Sequence, residues 1–126
     1  MRVSAIIPAA GSGARFGEIK QFKLLKGRPL WAHTIAPFIK SKLINEIILV
    51  VPSTYVNRIK SSKMFNVLSV DKNIKIVEGG STRRDSVLRG VLETKQNNNI
   101  VCIHDAARPF IKESFISKTV RSCVDY

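Results

Sequence analysis

The sequence is poor in cysteine, in long apolar runs and in acid. Its 126 residues hold two cysteines. Cys102 and Cys123 are too few for a disulfide framework and too far apart for a CxxC redox or zinc motif; both are expected to be buried or idle thiols. No apolar stretch approaches the roughly 20 residues of a membrane-spanning helix. Met1 to Gly11 has neither the length nor the cleavage pattern of a secretory signal, so a cytoplasmic location is expected, with no membrane partner. Acid is scarce: 9 Asp+Glu stand against 21 Lys+Arg, a formal net charge of +12. Such an excess attracts polyanions, nucleic acid or phosphorylated small molecules. The basic residues are not interleaved with aromatics as in single-strand binders, and no helix-turn-helix pattern appears, which argues against nucleic acid.

What is present is an ordinary globular composition, 44% hydrophobic and 24% charged, enough for one domain with a core. The basic excess lies mostly in residues 1–63, which hold 11 basic and 2 acidic residues. No internal repeat or linker divides the chain, and the only low-complexity patch is the polar Gln96–Asn99. A single domain, 1–126, is expected.

Continuous apolar runs at Arg2–Pro8 and Glu46–Pro52 read as buried parallel strands, with Ile74–Glu78 and Ile100–His104 as two more. Between them, helical spacing recurs. Leu30–Lys40 places Trp31, Ile35, Phe38 and Ile39 on one side, with Pro29 suited to the first turn and Pro37 a kink or stop. Thr54–Lys63 places Tyr55 and Ile59 together. Thr82–Lys95, capped by Ser81 or Thr82, turns Val87, Leu88, Val91 and Leu92 to one face. Glu113–Val124 would turn Phe115, Ile116 and Val120 inward. This alternation predicts an α/β fold, an open, mostly parallel sheet with helices on both faces. The closing "SKTVRSCVDY" stops in or just after a helix with no return strand, which reads as a truncated domain.

In such sheets ligands bind beyond the carboxyl ends of the strands. Three of the four expected strand ends carry unusual residues: Ala9–Lys20, Gly79–Ser86 and Asp105–Arg108. The first is not a P-loop, since no Lys-Ser or Lys-Thr follows its glycines. Nor is it a dinucleotide fingerprint: Phe16 stands where GxGxxG needs its third glycine, and "VVPS" ends the second strand without the ribose-binding acid. Gly11 and Gly13 could simply make a tight turn, but close glycines also let backbone N–H groups approach an anion, with Arg15 and Lys20 adding full charges. In "GGSTRRDSV" the glycines end a strand and hydroxyls open a helix, suiting an anion or a polar base edge, or merely a capped helix. In "HDAARPF", Asp105 could bind Mg²⁺ or a sugar hydroxyl, or close an Asx turn. His104 and His33 read as structural histidines.

Together "PAAGSGARF" at 8–16, "KQF" at 20–22, "GRPLWAHTI" at 27–35, "GGSTRRDSV" at 79–87 and "HDAARPF" at 104–110 resemble the 2-C-methyl-D-erythritol 4-phosphate cytidylyltransferases of the non-mevalonate isoprenoid pathway, over nearly the whole chain. The ribitol-5-phosphate cytidylyltransferases share much of the pattern, though "AAR" at 106–108 is more similar to the methylerythritol group. The resemblance implies a Rossmann-like nucleotidyltransferase fold and transfer of a cytidylyl group from CTP to methylerythritol phosphate, releasing pyrophosphate with Mg²⁺ present. It implies that Pro8, Ala9, Ala10, Gly11 and Gly13 line the cytidine and phosphate site, and that Arg15 and Lys20 hold the triphosphate as the catalytic cations. Gly80, Ser81 and Ser86 would recognise cytosine; Asp105 and Ala106 would lie near the ribose, with Asp105 also at the metal and, with Arg108, at the incoming sugar-alcohol phosphate.

This suits the chemistry. An attacking phosphate oxygen is already anionic at neutral pH, so the site needs cations and alignment rather than a Ser, Cys or His nucleophile. Two departures stand out. Family members have a slightly longer segment between the Arg and Lys of the first motif, with Pro before the Lys, where "FGEI" intervenes here. They are also much longer, and the remainder would bring a second active-site lysine, further substrate contacts and an arm forming a homodimer. The chain thus reads as the amino-terminal, nucleotide-binding portion of a cytidylyltransferase domain.

Overall fold

The computed structural model describes residues 2–9, 24–94, 100–104 and 112–125, apart from the side chains of residues 113 and 123–125. Strand β1 (Val3–Pro8) is followed by a small hairpin of β2 (Leu24–Leu25) and β3 (Arg28–Pro29), helix α1 (Leu30–Lys40), strand β4 (Glu46–Val51), helices α2 (Ser53–Lys60) and α3 (Lys63–Leu68), strand β5 (Asn73–Glu78), helix α4 (Arg83–Leu92), strand β6 (Ile100–Ile103) and helix α5 (Glu113–Asp125). The four longer strands form one sheet in the order β5-β4-β1-β6, every pair parallel. The expected α/β sheet is therefore present.

Every residue of β1 and β4 is buried, as central strands covered on both faces require. Alternation divides them. Val3, Ala5 and Ile7 join Ile47, Leu49 and Val51 in a large core with Trp31, Ile35 and Phe38 of α1, Ile59 of α2, and Ile116 and Val120 of α5. On the opposite face Ile6, Ile48 and Val50 make a small cluster with the partly buried Val77, covered by α4. That helix lies close because it turns Gly90 to the sheet: a Cβ there would stand 2.7 Å from Ile6 Cγ2 and 3.1 Å from Val50 Cγ2.

Several details differ from the sequence expectations. In α4 the buried residues are Ser86 and Gly90, while Leu88 and Leu92 are exposed; close helix–sheet contact selects the smallest side chains, not the most apolar. Phe115 is exposed, and α5 buries Ile116 and Val120 without it. Pro37 does not stop α1, which runs on to Lys40. The expected Thr54–Lys63 helix is two: Ser61 caps the end of one and Ser62 the start of the next, its hydroxyl accepting from the Phe65 N–H at 3.1 Å. The β2–β3 hairpin turns through Lys26 and Gly27 at φ 53° and 79°, positive values that match the right-handed strand twist.

Candidate functional site at the carboxyl edge of the sheet

The chain builds outward from β1 to β4 to β5, and α4 then returns it to the other side of β1. The switch point lies between β1 and β6, where parallel α/β sheets open a crevice at their carboxyl ends. Three backbone hydrogen bonds extend the ladders one residue beyond the strands: Ala9 N–H to Val50 C=O at 2.7 Å, Gly79 N–H to Val51 C=O at 2.7 Å, and His104 N–H to Ile6 C=O at 3.0 Å. Ala9 and Gly79 open the first two unusual stretches, and His104 immediately precedes the third. All three therefore leave the sheet at the same end, and the first and third leave from adjacent strands.

Of the expected site residues, Pro8, Ala9, Gly80, Ser81 and Ser86 are described. Ala10, Gly11, Gly13, Arg15, Lys20, Asp105, Ala106 and Arg108 lie outside the described residues. Pro8 and Ala9 are buried, so side chains contribute little there and the backbone forms the rim. Among the described residues, no group of three or more His, Cys, Asp and Glu is placed to hold a metal ion.

The loop into α4 is fully described. Thr82 is the N-cap, accepting the Asp85 N–H on its hydroxyl at 3.1 Å. The Gly80 N–H donates to Ser86 Oγ at 3.1 Å, and the Ser81 hydroxyl donates to Asp85 Oδ2 at 3.1 Å. Ser86 is only 1% exposed. It precedes Gly90 by one helical turn, about 6 Å, and α4 runs against the strands. Gly90 lies on Ile6 and Val50, so one turn back along α4 carries Ser86 toward the carboxyl end of the sheet. Ser86 and the end of β1 thus share one rim of the sheet.

Arg89 Nη1 donates to Gly79 C=O at 3.3 Å and ties α4 back to β5. Neither this contact nor the part played by Asp85 is visible in spacing alone, because both depend on how the loop doubles back on its helix. His33 Nε2 lies 2.6 Å from Leu25 C=O, and the His104 ring packs at 5.6 Å between centroids on Phe38. Both histidines hold structure, as the sequence suggested. Two hollows of about 440 and 410 Å³ lie along the outer edge of β5, sharing Lys60, Ile76, Val77 and Glu93; none of the described candidate residues lines either.

The family model described as 2-C-methyl-D-erythritol 4-phosphate cytidylyltransferase matches residues 3–125. The chain belongs to this family. A 2-C-methyl-D-erythritol 4-phosphate cytidylyltransferase of Alkaliphilus oremlandii is 44% identical over 121 residues, covering 94% of this chain and 51% of the relative. One from Clostridium botulinum is 40% identical over 127 residues, covering 98% of this chain and 55% of the relative. The crystal structure of the 4-diphosphocytidyl-2C-methyl-D-erythritol synthase of Anaerococcus prevotii superposes with a TM-score of 0.81 at 34% identity, over 97% of this chain and 50% of that one. The chain thus spans about half the length of the curated cytidylyltransferases it matches. Its sheet is the nucleotidyltransferase fold that the sequence motifs imply. No described helix is long and apolar enough to cross a membrane.

Proposed function

We propose that the chain provides the CTP-binding part of a 2-C-methyl-D-erythritol 4-phosphate cytidylyltransferase. The observation that carries this reading is the family match across residues 3–125; the common sheet end from which the three motifs leave supports it. In the reaction, a phosphate oxygen of the sugar-alcohol phosphate attacks the α-phosphorus of CTP. The bond from that phosphorus to the bridging oxygen breaks, and pyrophosphate leaves with the electron pair. Arg15 and Lys20 hold the triphosphate and offset charge on the leaving group. Pro8, Ala9, Ala10, Gly11 and Gly13 line the nucleotide, and Gly80, Ser81 and Ser86 meet the base. Ala106 lies near the ribose, and Arg108 takes the incoming phosphate. Asp105 would hold Mg²⁺, which when bound would supply further charge stabilisation at the phosphate oxygens. A cytoplasmic homodimer is the form in which we expect the complete enzyme to work.

The test supplies CTP and Mg²⁺ with either methylerythritol phosphate or ribitol phosphate and measures pyrophosphate release, with CTP binding followed by calorimetry. Release with methylerythritol phosphate alone is expected when the chain is part of a complete enzyme. There Arg15→Ala and Lys20→Ala should each lower turnover by about 10²–10³-fold with little change in melting temperature. Absence of CTP binding sinks the reading, as does normal turnover in both variants; release with ribitol phosphate alone reassigns the acceptor.

A further inference from the structure

The loop into α4 contains a residue that neither the motif nor the family match assigns. Asp85 grips Gly80–Ser81 in two ways. Its carboxylate accepts the Ser81 hydroxyl at 3.1 Å, and its Cβ lies where a Gly80 side chain would begin, 2.4 Å from a Cβ built at that position. Its own N–H is fixed by the Thr82 cap, so the grip stands on a rigid first helical turn. The next residue, Ser86, accepts the Gly80 N–H. Gly80 and Ser81 are therefore pinned to α4 at adjacent points, and only glycine fits at 80.

We propose that Asp85 is a positioning residue that sets the base preference of the nucleotide site. The inference rests on the reading of Gly80, Ser81 and Ser86 as the base-facing residues. Cytosine and uracil differ at two adjacent edge atoms, where an amino donor and a ring-nitrogen acceptor exchange for a keto acceptor and an N–H donor. A loop can separate them only if its own donors and acceptors are held to a fraction of an ångström, since a misplaced donor meets either base through water. Asp85 supplies that rigidity without touching the base.

The experiment compares CTP and UTP binding by calorimetry in the wild-type chain, Asp85→Ala and Asp85→Asn, with amide hydrogen exchange at Gly80 and Ser81 followed in the absence of nucleotide. Asp85→Ala keeps the Cβ contact and removes the acceptor together with its charge, which acts equally on CTP and UTP. It should speed exchange at these amides and weaken CTP binding about five-fold, the worth of one hydrogen bond, while UTP binding changes less than two-fold. Asp85→Asn, which keeps an acceptor, should restore the preference. Wild-type CTP preference in Asp85→Ala overturns the inference, as does equal weakening for both nucleotides. If the wild-type chain binds no CTP, the functional reading fails instead, and unchanged exchange in Asp85→Ala then removes the positioning role as well.

Discussion

The two faces of the sheet are built on opposite terms. One carries helices α1, α2, α3 and α5 over a core that includes Trp31, Ile35, Phe38 and most of the strands' large side chains. The other carries α4 over three fully buried residues, Ile6, Ile48 and Val50, and replaces bulk with close approach at Gly90. The broad core supplies stability. The thin face brings a helix terminus to the sheet's rim with Ser86 beneath it, and a bulky helix face there would lift that terminus away. The proposed nucleotide site sits where packing is shallow and exact fit matters more than volume.

The largest expected effects test this division. Leu49→Ala and Ile48→Ala truncate neighbouring, fully buried residues of β4 on the broad and thin faces respectively. Leu49→Ala should cost about 4 kcal/mol and Ile48→Ala nearer 2 kcal/mol, because a cavity under a single helix can collapse while one walled by several cannot. Equal losses in urea denaturation would remove the distinction, and a larger loss at Ile48 would reverse it.

Gly90→Ala comes next. In an open helix this change stabilises by about 1 kcal/mol. Here the new methyl meets Ile6 Cγ2 at 2.7 Å, and we expect a net loss of about 1–2 kcal/mol. Adding Ile6→Leu, which removes the β-branch in the way, should recover part of it. A stabilised Gly90→Ala protein would mean that α4 does not sit on the sheet as described.

These sites also show what was legible in the sequence. The central strands could be read because Ile-Val runs between turn residues have few other uses, and α1 because Trp31, Ile35 and Phe38 keep strict helical spacing. The inward face of α4 could not: apolarity points to Leu88 and Leu92, yet the buried positions are Ser86 and Gly90, the latter set directly on Ile6 and Val50. In α5, Phe115 misled because, among the described side chains of that helix, Ile116 and Val120 are the buried ones and Phe115 is exposed. The candidate site was legible as three motifs at strand ends. The role of Asp85 was not, because it depends on the loop folding back on its own helix.

A smaller effect is expected at the amino end of the thin face. Glu46 is fully buried beside β1; Ser4 Oγ donates to its Oε1 at 2.6 Å, and Lys75 Nζ lies 3.6 Å from its Oε2. Lys75 also donates to Glu93 C=O at 3.0 Å, beyond the last turn of α4. Lys75→Met removes a cation from a buried carboxylate. Because the Lys75 side chain is 35% exposed, solvent screens the pair, and the cost should be about 1 kcal/mol. Glu46→Gln made in the same background should cost less than it does alone, and strictly additive losses would show that the two groups do not interact across the sheet.

The smallest effect belongs to the broad face and is read through pH. Lys72 Nζ donates to Ser41 C=O at 2.8 Å and to Ile44 C=O, closing the turn between α1 and β4, and its burial lowers its pKa below the usual lysine value of 10.5. With the folded pKa below the unfolded one, the unfolded chain binds more protons between the two, so this group's contribution to stability rises with pH in that window. Below the folded pKa both states are protonated and the contribution is level. The stability of the wild-type protein relative to Lys72→Met should therefore be level well below the folded pKa and increase slightly as pH rises toward the unfolded value of 10.5. A fall over that last interval would mean that the two carbonyls stabilise the ammonium more than burial disfavours it, making this turn a cation site held by backbone oxygens.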